Sequence, residues 1–246
     1  MYGWRRRIGL IVPSSNTTME PEFWKMAPEG VSIHTARMRL REVTEESLLE
    51  MERHAKDAAL ELADAEVDVI VYGCTSGSLI KGKGYDKEIA KNLEEASGIK
   101  TITTSTAVLN ALNTLDIQKV VVATPYIDSV NEREKEFLEA NGIEVLRIKG
   151  LGIVKNTEIG RQEPWVAYKL ALEVYTPEAD GLFISCTNFR TIEIIDKLEV
   201  ELGVPVVTSN QATMWYALKT MKVKEKYDMY GTLLKEKLLE HHHHHH

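Results

Sequence analysis

The chain has 246 residues, of which 43% are hydrophobic and 27% are charged, values typical of a globular protein with a substantial core. Its formal net charge of −7 argues against a nucleic-acid partner. No apolar run approaches the roughly 18–20 residues of a membrane span, and no signal-peptide pattern opens the sequence. We therefore expect a cytoplasmic protein that binds neither nucleic acid nor a membrane.

Few cysteines and histidines are available for chemistry. The sequence contains two cysteines, Cys74 and Cys186, and eight histidines. Six of the histidines form residues 241–246 and are interpreted as a purification tag, which leaves His34 and His54. No Cys/His spacing typical of zinc is present and HExxH is absent, so no metal site built from these residues is expected. In a reducing cytoplasm both cysteines are expected to be free thiols.

The first half of the chain alternates apolar runs, which predict strands, with helix-like periodicity. Strands are predicted at 8–12, 31–37, 67–72 and 99–103, and helices from Thr44 or Ser47 to 62, at 86–96 and at 106–115. The polar segment 14–18 follows the first strand, at the strand end where open α/β sheets bind ligands. A glycine-rich segment, 77–85, completes no phosphate-binding motif, and we expect it to form a mobile flap beside the site.

The second half repeats this pattern. Strands are predicted at 119–123, 143–148, 179–185 and 204–208, and helices at 128–140, 163–175, 191–202, 212–221 and 224–239. Pro13 and Pro125, which each end a strand, have the same separation as Cys74 and Cys186. Matched βα units predict an α/β fold of two pseudo-two-fold-related, doubly wound domains, each with a four-stranded parallel sheet and right-handed crossovers. We place one domain at 1–115 plus 209–240 and the other at 116–208, with the active site in the cleft between them.

Each cysteine begins a polar turn directly after a predicted buried strand. In this place, backbone N–H groups and the dipole of the following helix are expected to lower the pKa of the thiol. A Thr-Ser pair (75–76) follows one cysteine and a Thr-Asn pair (187–188) the other, and both offer donors for a carboxylate or a developing enolate. An isolated free cysteine is more often a buried small hydrophobe. Two at matched strand ends, without a GxSxG motif or a clear histidine partner, favour catalysis by both thiols.

At these turns the sequence resembles the maleate cis-trans isomerases, within the aspartate/glutamate racemase superfamily, and the similarity covers essentially the whole chain before the tag. The motifs that carry it are PSSNTTME (13–20), GCTSGS (73–78), TPY (124–126), SCTN (185–188) and SNQA (209–212). The resemblance implies an isomerase that needs no cofactor or metal and converts maleate, or a related unsaturated dicarboxylate, to fumarate through a covalent cysteine adduct. It implies that Cys74 adds to the double bond and that Cys186 exchanges a proton at the neighbouring carbon. It further implies that the substrate carboxylates are bound by Asn16, Thr75, Ser76, Tyr126, Asn156, Thr187, Asn188 and, at the edge of the site, Asn210.

The polar residues also have plainer structural interpretations. Asn16 and Asn210 could cap helices, and Asn156 could satisfy a loop. Tyr126 could be a packing residue with its hydroxyl in water. The motif context favours substrate binding for Asn16 and Tyr126, whereas for Asn156 the two interpretations are balanced.

Other activities of the superfamily stay open. Amino-acid racemases, or hydantoin racemases, would use two thiols, and the amino-acid racemases usually carry Cys-Asn-Thr and Cys-Thr-His turns, whereas this chain has Cys-Thr-Ser and Cys-Thr-Asn. Arylmalonate decarboxylases share the Thr-Ser pair and the tyrosine but lack the first cysteine, so Cys74 counts against decarboxylation. A non-catalytic carboxylate-binding protein on the same scaffold is a further option. The sequence also leaves a homo-oligomer open.

Overall fold

A four-stranded parallel sheet lies at the centre of the first half, with the strand order β2-β1-β3-β4. In the computed structural model, which describes residues 1–239, its strands are β1 Arg6–Pro13, β2 Val31–Met38, β3 Val69–Tyr72 and β4 Thr101–Thr103. The helices of this half are α1 Met19–Met26, α2 Glu45–Met51, α3 Ala55–Asp64, α4 Thr75–Leu79, α5 Tyr85–Ser97 and α6 Thr104–Thr114. A 3₁₀ turn, Glu52–His54, joins α2 to α3.

The second half repeats this arrangement around a sheet with the order β6-β5-β7-β8. Its strands are β5 Lys119–Thr124, β6 Glu144–Gly150, β7 Gly181–Ile184 and β8 Val206–Thr208. Its helices are α7 Asp128–Ala140, α8 Asn156–Gly160, α9 Pro164–Val174, α10 Ile195–Leu202, α11 Ser209–Thr220 and α12 Gly231–Glu236, with a 3₁₀ turn Ile192–Ile194 before α10. Two four-stranded parallel sheets with equivalent strand orders confirm the predicted fold class.

Burial of the inner strands explains why these segments form sheets. Every residue of β3 and of β7 is buried, and their sequences are the apolar runs VIVY and GLFI. Such runs are typical of parallel strands that helices cover on both faces. The register is also equivalent in the two halves, because Ile11 pairs with Tyr72 in the first sheet and Ala123 with Ile184 in the second. The proline and the cysteine of each half follow these paired residues by two positions.

The two halves meet through α6 and α11, the helices that follow the last strand of each sheet. Thr213 on α11 donates a hydrogen bond through Oγ1 to Oγ1 of Thr104 on α6, at 3.2 Å. Although α11 directly follows β8, it also contacts α1 and β3 of the first half. The strand ends of both sheets therefore face a common cleft.

The C-terminal helix predicted at 224–239 is wrong in extent. Only Gly231–Glu236 is helical, because Tyr230 and Gly231 adopt left-handed φ angles of 72° and 82° that interrupt a helix. The preceding segment lies against α1, where the hydroxyl of Tyr227 donates to the carbonyl of Met26 at 2.5 Å. Residue 240 and the tag at 241–246 lie outside the described residues.

Two segments expected to be loops contain short helices. The beginning of the glycine-rich segment 77–85 belongs to α4, which is buried throughout, so only 80–84 form a turn before α5. The loop in which Asn156 was expected to lie contains α8, which begins at that residue. Within residues 1–239 no helix is both long and apolar enough to cross a membrane.

Candidate active site

A tight cavity of about 10 Å³ lies between the two halves, at the carboxyl ends of β1, β3, β5 and β7. We call it the cysteine cavity, because it contains both cysteines. It brings together every site residue predicted from the sequence except Asn210. Its lining residues are Pro13, Asn16, Leu40, Val43, Cys74, Thr75, Ser76, Tyr126, Asn156, Cys186, Thr187 and Asn188.

Cys74 is held at the turn between β3 and α4. It is the N-cap of α4, and its Sγ accepts a hydrogen bond from the backbone N–H of Gly77 at 3.3 Å. The hydroxyl of Ser76 lies 3.8 Å from the same sulfur. Gly73 permits the close packing of this turn, since a Cβ there would lie 2.7 Å from Sδ of Met19 and 2.8 Å from the carbonyl oxygen of Ile11.

Cys186 occupies the equivalent place after β7 but has a strained backbone. Its φ angle is 108°, a conformation that residues with a Cβ rarely adopt and that is often found at functional sites. The backbone N–H of Cys186 donates to Oγ of Ser209 at 3.0 Å, and its Sγ accepts from the N–H of Asn188 at 3.4 Å. These bonds fix the second thiol against the first residue of α11.

The expectation that the turns lower the thiol pKa values is wrong. The N–H groups of Gly77 and Asn188 do act in that direction, but burial removes the thiols from water and outweighs them. The pKa rises to about 11 for Cys74 and to about 12 for Cys186. Both groups are therefore protonated thiols at neutral pH before a substrate binds.

Hydroxyl groups connect the two halves beside the thiols. Oγ1 of Thr75 and Oγ of Ser209 are 2.7 Å apart, and Oγ1 of Thr187 donates to the carbonyl of Gly73 at 3.1 Å. The amide of Asn16 donates to Oγ1 of Thr187 at 3.0 Å. Each of these bonds joins a residue of the first half to a residue that follows β7 or β8. The cavity wall therefore depends on both halves.

Asn16 combines the two roles that its sequence position allowed. Its Oδ1 accepts from the backbone N–H groups of Thr18 and Met19, both at 3.0 Å, and so satisfies the start of α1. Asn16 also lines the cavity, and its amide nitrogen donates to Oγ1 of Thr187. Helix capping therefore accompanies a place in the site.

Asn156 and Asn188 close the opposite side of the cavity. The amide of Asn156 donates to Oγ of Ser15 at 2.9 Å, and the amide of Asn188 donates to the carbonyl of Asn156 at 2.8 Å. The backbone N–H of Thr17 donates to Oδ1 of Asn188 at 2.9 Å. The 14–18 segment is thus tied to the second half.

Asn210 lies behind the cavity wall and does not line it, which differs from its predicted place at the edge of the site. Its amide donates to Oε1 of Glu22 at 2.9 Å and to the carbonyl of Thr187 at 3.0 Å. Glu22 also accepts from the backbone N–H of Thr191 at 3.1 Å. The amide is occupied in supporting the Thr187 turn, and α11 is capped by Thr208 instead.

Tyr126 is buried at the end of β5, and its backbone is fixed by α7. Its N–H donates to Oγ1 of Thr124 at 3.0 Å, and Thr124 in turn donates to Oδ1 of Asn131 at 2.6 Å. Its hydroxyl oxygen lies 3.3 Å from Oγ of Ser185, which also reaches Oε2 of Glu134 at 2.7 Å. Burial raises the pKa of Tyr126 well above its ordinary value, so the hydroxyl is a neutral donor.

Several residues at or behind the site were not predicted from the sequence. Leu40 and Val43 line the cavity, and Ser209 bridges Thr75 to Cys186. Glu22 is buried on α1 with Phe23 and other apolar residues, and Glu134 is buried on α7 with Phe137 and Leu138. A carboxylate on an apolar stripe is the signal that could have identified these last two.

A second opening lies beside the cysteine cavity and is basic. We call it the arginine pocket; it measures about 560 Å³ and is lined by Ser14, Arg37, Arg39, Arg41 and His54. Arg37 donates to the carbonyl of Asn16 at 2.8 Å, which connects this pocket to the wall of the cavity. Among residues 1–239, no three His, Cys, Asp or Glu side chains form a cluster suited to a metal ion.

Two α/β halves, each with a parallel sheet, share one cavity that contains both thiols. This is the architecture expected for the two-cysteine enzymes of the aspartate/glutamate racemase superfamily. The family model described as arylmalonate decarboxylase matches residues 8–234. The chain belongs to this family, which here is represented by relatives of two activities, maleate isomerase and arylmalonate decarboxylase.

Maleate isomerases are among the most similar proteins. The enzyme of Geobacillus stearothermophilus is 32% identical, over 94% of this chain and 98% of that protein. A maleate isomerase variant from Pseudomonas putida S16, solved with maleate, is 30% identical with a TM-score of 0.90, over 96% of this chain and 99% of that one. A Nocardia farcinica maleate cis-trans isomerase variant with a covalently bound succinylcysteine intermediate is 28% identical with a TM-score of 0.89, over 94% and 98%.

Proposed function

We propose that the chain is an isomerase that converts maleate, or a related unsaturated dicarboxylate, to fumarate through a covalent cysteine adduct and without a cofactor. The observation that carries this proposal is the pair of thiols, one from each half, at a single cavity lined by amide and hydroxyl groups. Similarity to maleate isomerases over nearly the full length supports it, as does the succinylcysteine in the Nocardia farcinica enzyme.

In the proposed reaction the two thiols have different roles. The thiolate of Cys74 adds to one alkene carbon, and the electron pair of the double bond moves to the other carbon, beside a carboxylate. Cys186 gives its proton to that carbon, which leaves a succinyl group on Cys74 with a single bond that can rotate. Cys186 then takes the proton back, the C–S bond breaks, and fumarate leaves with no net gain or loss of atoms.

Residues around the thiols would bind the two carboxylates. We assign this role to the hydroxyl, amide and backbone donors of Asn16, Thr75, Ser76, Tyr126, Asn156, Thr187 and Asn188, with Asn210 supporting the Thr187 turn from behind. The apolar residues Leu40 and Val43 would limit the access of water to the carbanion-like intermediate. Since one chain supplies both thiols, the proposal needs no partner subunit, and it needs the reducing conditions of the cytoplasm.

The raised thiol pKa values suit one role more directly than the other. A protonated Cys186 is ready to act as the acid at neutral pH. Cys74 must give its proton to water before it can add, and the N–H of Gly77 and the hydroxyl of Ser76 are the groups that stabilise its thiolate. Once formed, a thiolate of high pKa is a strong nucleophile, which offsets its low population in part.

Proton NMR with a panel of substrates tests the proposal. The protein, incubated with maleate and no added metal or cofactor, should produce fumarate, and Cys74→Ala should abolish this conversion. Loss of optical activity from an amino acid, with maleate unchanged, would favour a racemase. Release of carbon dioxide from an arylmalonate would favour a decarboxylase, and thermal stabilisation by maleate without product would favour a binding protein.

A further inference from the structure

A buried carboxyl group is joined to the cysteine cavity by a chain of hydrogen bonds. Oε2 of Glu134 is 2.7 Å from Oγ of Ser185, and this Oγ is 3.3 Å from the hydroxyl oxygen of Tyr126. Tyr126 and Cys186 line the same cavity, and an interaction with the Tyr126 side chain acts to lower the pKa of Cys186. We propose that Glu134 is a positioning residue whose proton sets the direction of this chain, and so decides whether Tyr126 donates into the cavity. The inference rests on the proposed isomerase function.

The number of protons shared by Glu134, Ser185 and Tyr126 explains how Glu134 would act. Ser185 and Tyr126 each carry one hydroxyl proton. When Glu134 is ionised, Ser185 must donate to the carboxylate, so its oxygen can only accept from Tyr126, and the tyrosine proton turns away from the cavity. When Glu134 is protonated, it donates to Ser185 and Ser185 donates to Tyr126. The proton of Tyr126 is then free to point to Cys186 or to a substrate carboxylate.

The surroundings of Glu134 favour the protonated form. The residue is 1% exposed, and its Oε1 has no hydrogen-bond partner within the described residues. An unpartnered oxygen is less costly to bury in a neutral carboxyl group than in a carboxylate. Burial accordingly raises the pKa of Glu134 to about 7, which places its titration within the working range of an enzyme.

Few other ionisable groups face Glu134. From the ends of β5 and β7 these are Tyr126 and Cys186, with Cys74 beyond them. The neighbouring helix α4 has no ionisable side chain, and the charged residues of β6 are exposed, with Lys149 paired to Glu173. No cation in residues 1–239 therefore compensates a negative charge on Glu134.

Ionisation of Glu134 would oppose the reaction in two ways. It withdraws the proton of Tyr126 from the cavity, and its negative charge raises the pKa values of both Tyr126 and Cys186. Cys186 passes through a thiolate form in the proposed reaction, and this form would be less stable beside a carboxylate. Turnover is therefore expected to require a neutral Glu134.

The pH dependence of Glu134→Gln tests this inference. Glutamine keeps an N–H donor towards Ser185 and cannot ionise. The ratio of kcat for E134Q to kcat for the wild type cancels ionisations that both proteins share. We expect a ratio near one at about pH 6 and a ratio of about ten at about pH 8, one unit above the Glu134 pKa. Glu132→Gln, an exposed change on the same helix, should give a ratio near one at both pH values.

Repeating the measurement in a Ser185→Ala variant distinguishes an effect through the hydrogen-bond chain from a general effect of charge or folding. In Ser185→Ala the chain is broken, so adding E134Q should no longer produce most of the pH-dependent gain. Circular dichroism establishes that each variant is folded. A ratio for E134Q that does not change with pH, or a gain that persists fully in the Ser185→Ala background, would overturn the inference.

Failure of the proposed function can be recognised independently. If the wild type does not convert maleate, the isomerase proposal is wrong, whatever Glu134 does. The pH dependence of Cys186 alkylation in Cys74→Ser, followed by mass spectrometry, then tests the hydrogen-bond chain directly, because Cys186 is the one cysteine left. E134Q in this background should lower the pKa of Cys186 by about one unit. An unchanged pKa would overturn the role of Glu134 without reference to turnover.

Discussion

At the residue scale, burial controls the ionisable groups around the cysteine cavity. It raises both thiol pKa values, and it raises the carboxyl pKa of Glu22 and of Glu134 from 4.5 to about 7. Between these two pH values the folded chain holds protons that the unfolded chain has lost. Stability is therefore highest below about pH 4.5 as far as these two groups are concerned, and it is lost as the pH rises through about 7.

Glu134→Gln should remove one of these two contributions. At about pH 4 the carboxyl group is protonated in both states, so the substitution should change the free energy of unfolding little. At about pH 8 we expect E134Q to gain up to roughly 3 kcal/mol over the wild type, since each pKa unit corresponds to about 1.4 kcal/mol. Urea unfolding at both pH values measures the difference. The surface variant Glu132→Gln is the control, and an equal effect of E134Q at both pH values would contradict the account.

The sequence predicts the place of residues that directly follow a buried strand. It does not predict properties that depend on a distant helix or on both halves of the molecule. The two cysteines and their following pairs could be placed because a buried strand and a polar turn are local patterns. The raised thiol pKa values could not be predicted, because the burial that raises them comes from both halves. Asn210 was assigned to the site edge because its contact with Glu22, on the distant α1, leaves no trace in spacing.

At the element scale, α11 is fixed at its start by a reciprocal cap. Oγ1 of Thr208 accepts from the N–H of Gln211 at 3.2 Å, and Oε1 of Gln211 accepts from the N–H of Thr208 at 2.9 Å. Such a capping box satisfies two backbone donors at once. The next residue is Ser209, which bonds both Thr75 and Cys186, so the start of this helix positions the site.

Thr208→Ala should therefore destabilise the chain and reduce turnover together. We expect a loss of roughly 1–2 kcal/mol in the free energy of unfolding, the usual range for a helix cap. Thr44→Ala, which removes a similar bond to Ser47 at the partly exposed start of α2, should cost less and spare kcat. Urea unfolding and kcat measure the two effects. Wild-type stability in T208A would show that the cap is not needed.

The elements themselves were largely predictable because parallel strands buried on both faces are continuous apolar runs. All eight predicted strands are present within residues 1–239, with ends shifted by a few residues. The C-terminal helix was overestimated because its charged periodicity continues through Tyr230, whose left-handed conformation is imposed by contacts with α10. There the N–H of Tyr230 donates to Oδ2 of Asp196 at 3.0 Å.

At the scale of the whole molecule, we keep the division into domains 1–115 plus 209–240 and 116–208 as a proposal. Contacts of α11 with α6, α1 and β3 support the assignment of this helix to the first domain. The segment after it touches both halves, because Tyr227 bonds the end of α1 whereas Thr232 bonds Glu199 on α10. This segment therefore connects the two domains by side-chain hydrogen bonds.

Charge distribution provides a prediction for substrate capture. The chain is acidic overall, but the arginine pocket adjoins the cysteine cavity, whose wall residue Leu40 lies between Arg39 and Arg41. These two arginines form no salt bridge within the described residues. A dianionic substrate should be concentrated there, and the effect should weaken as salt screens it.

The double variant Arg39→Gln/Arg41→Gln should lower kcat/KM for maleate about tenfold at low ionic strength and change kcat less than about twofold. The difference from the wild type should shrink at high salt. Lys87→Gln/Lys91→Gln, which removes the same charge from the exposed face of α5, is the control. Equal losses in both double variants would assign the effect to net charge and not to the pocket.

Mass spectrometry of maleate-treated protein shows whether a covalent adduct forms and which cysteine carries it. In Cys186→Ser, where water must supply the proton and no thiolate remains to take it back, we expect a slowly formed mass increase of one maleate, mapped by peptide digestion to the peptide that contains Cys74. Cys74→Ser should carry no adduct. An adduct on Cys186 alone in the wild type, or conversion of maleate by Cys74→Ser, would contradict the account.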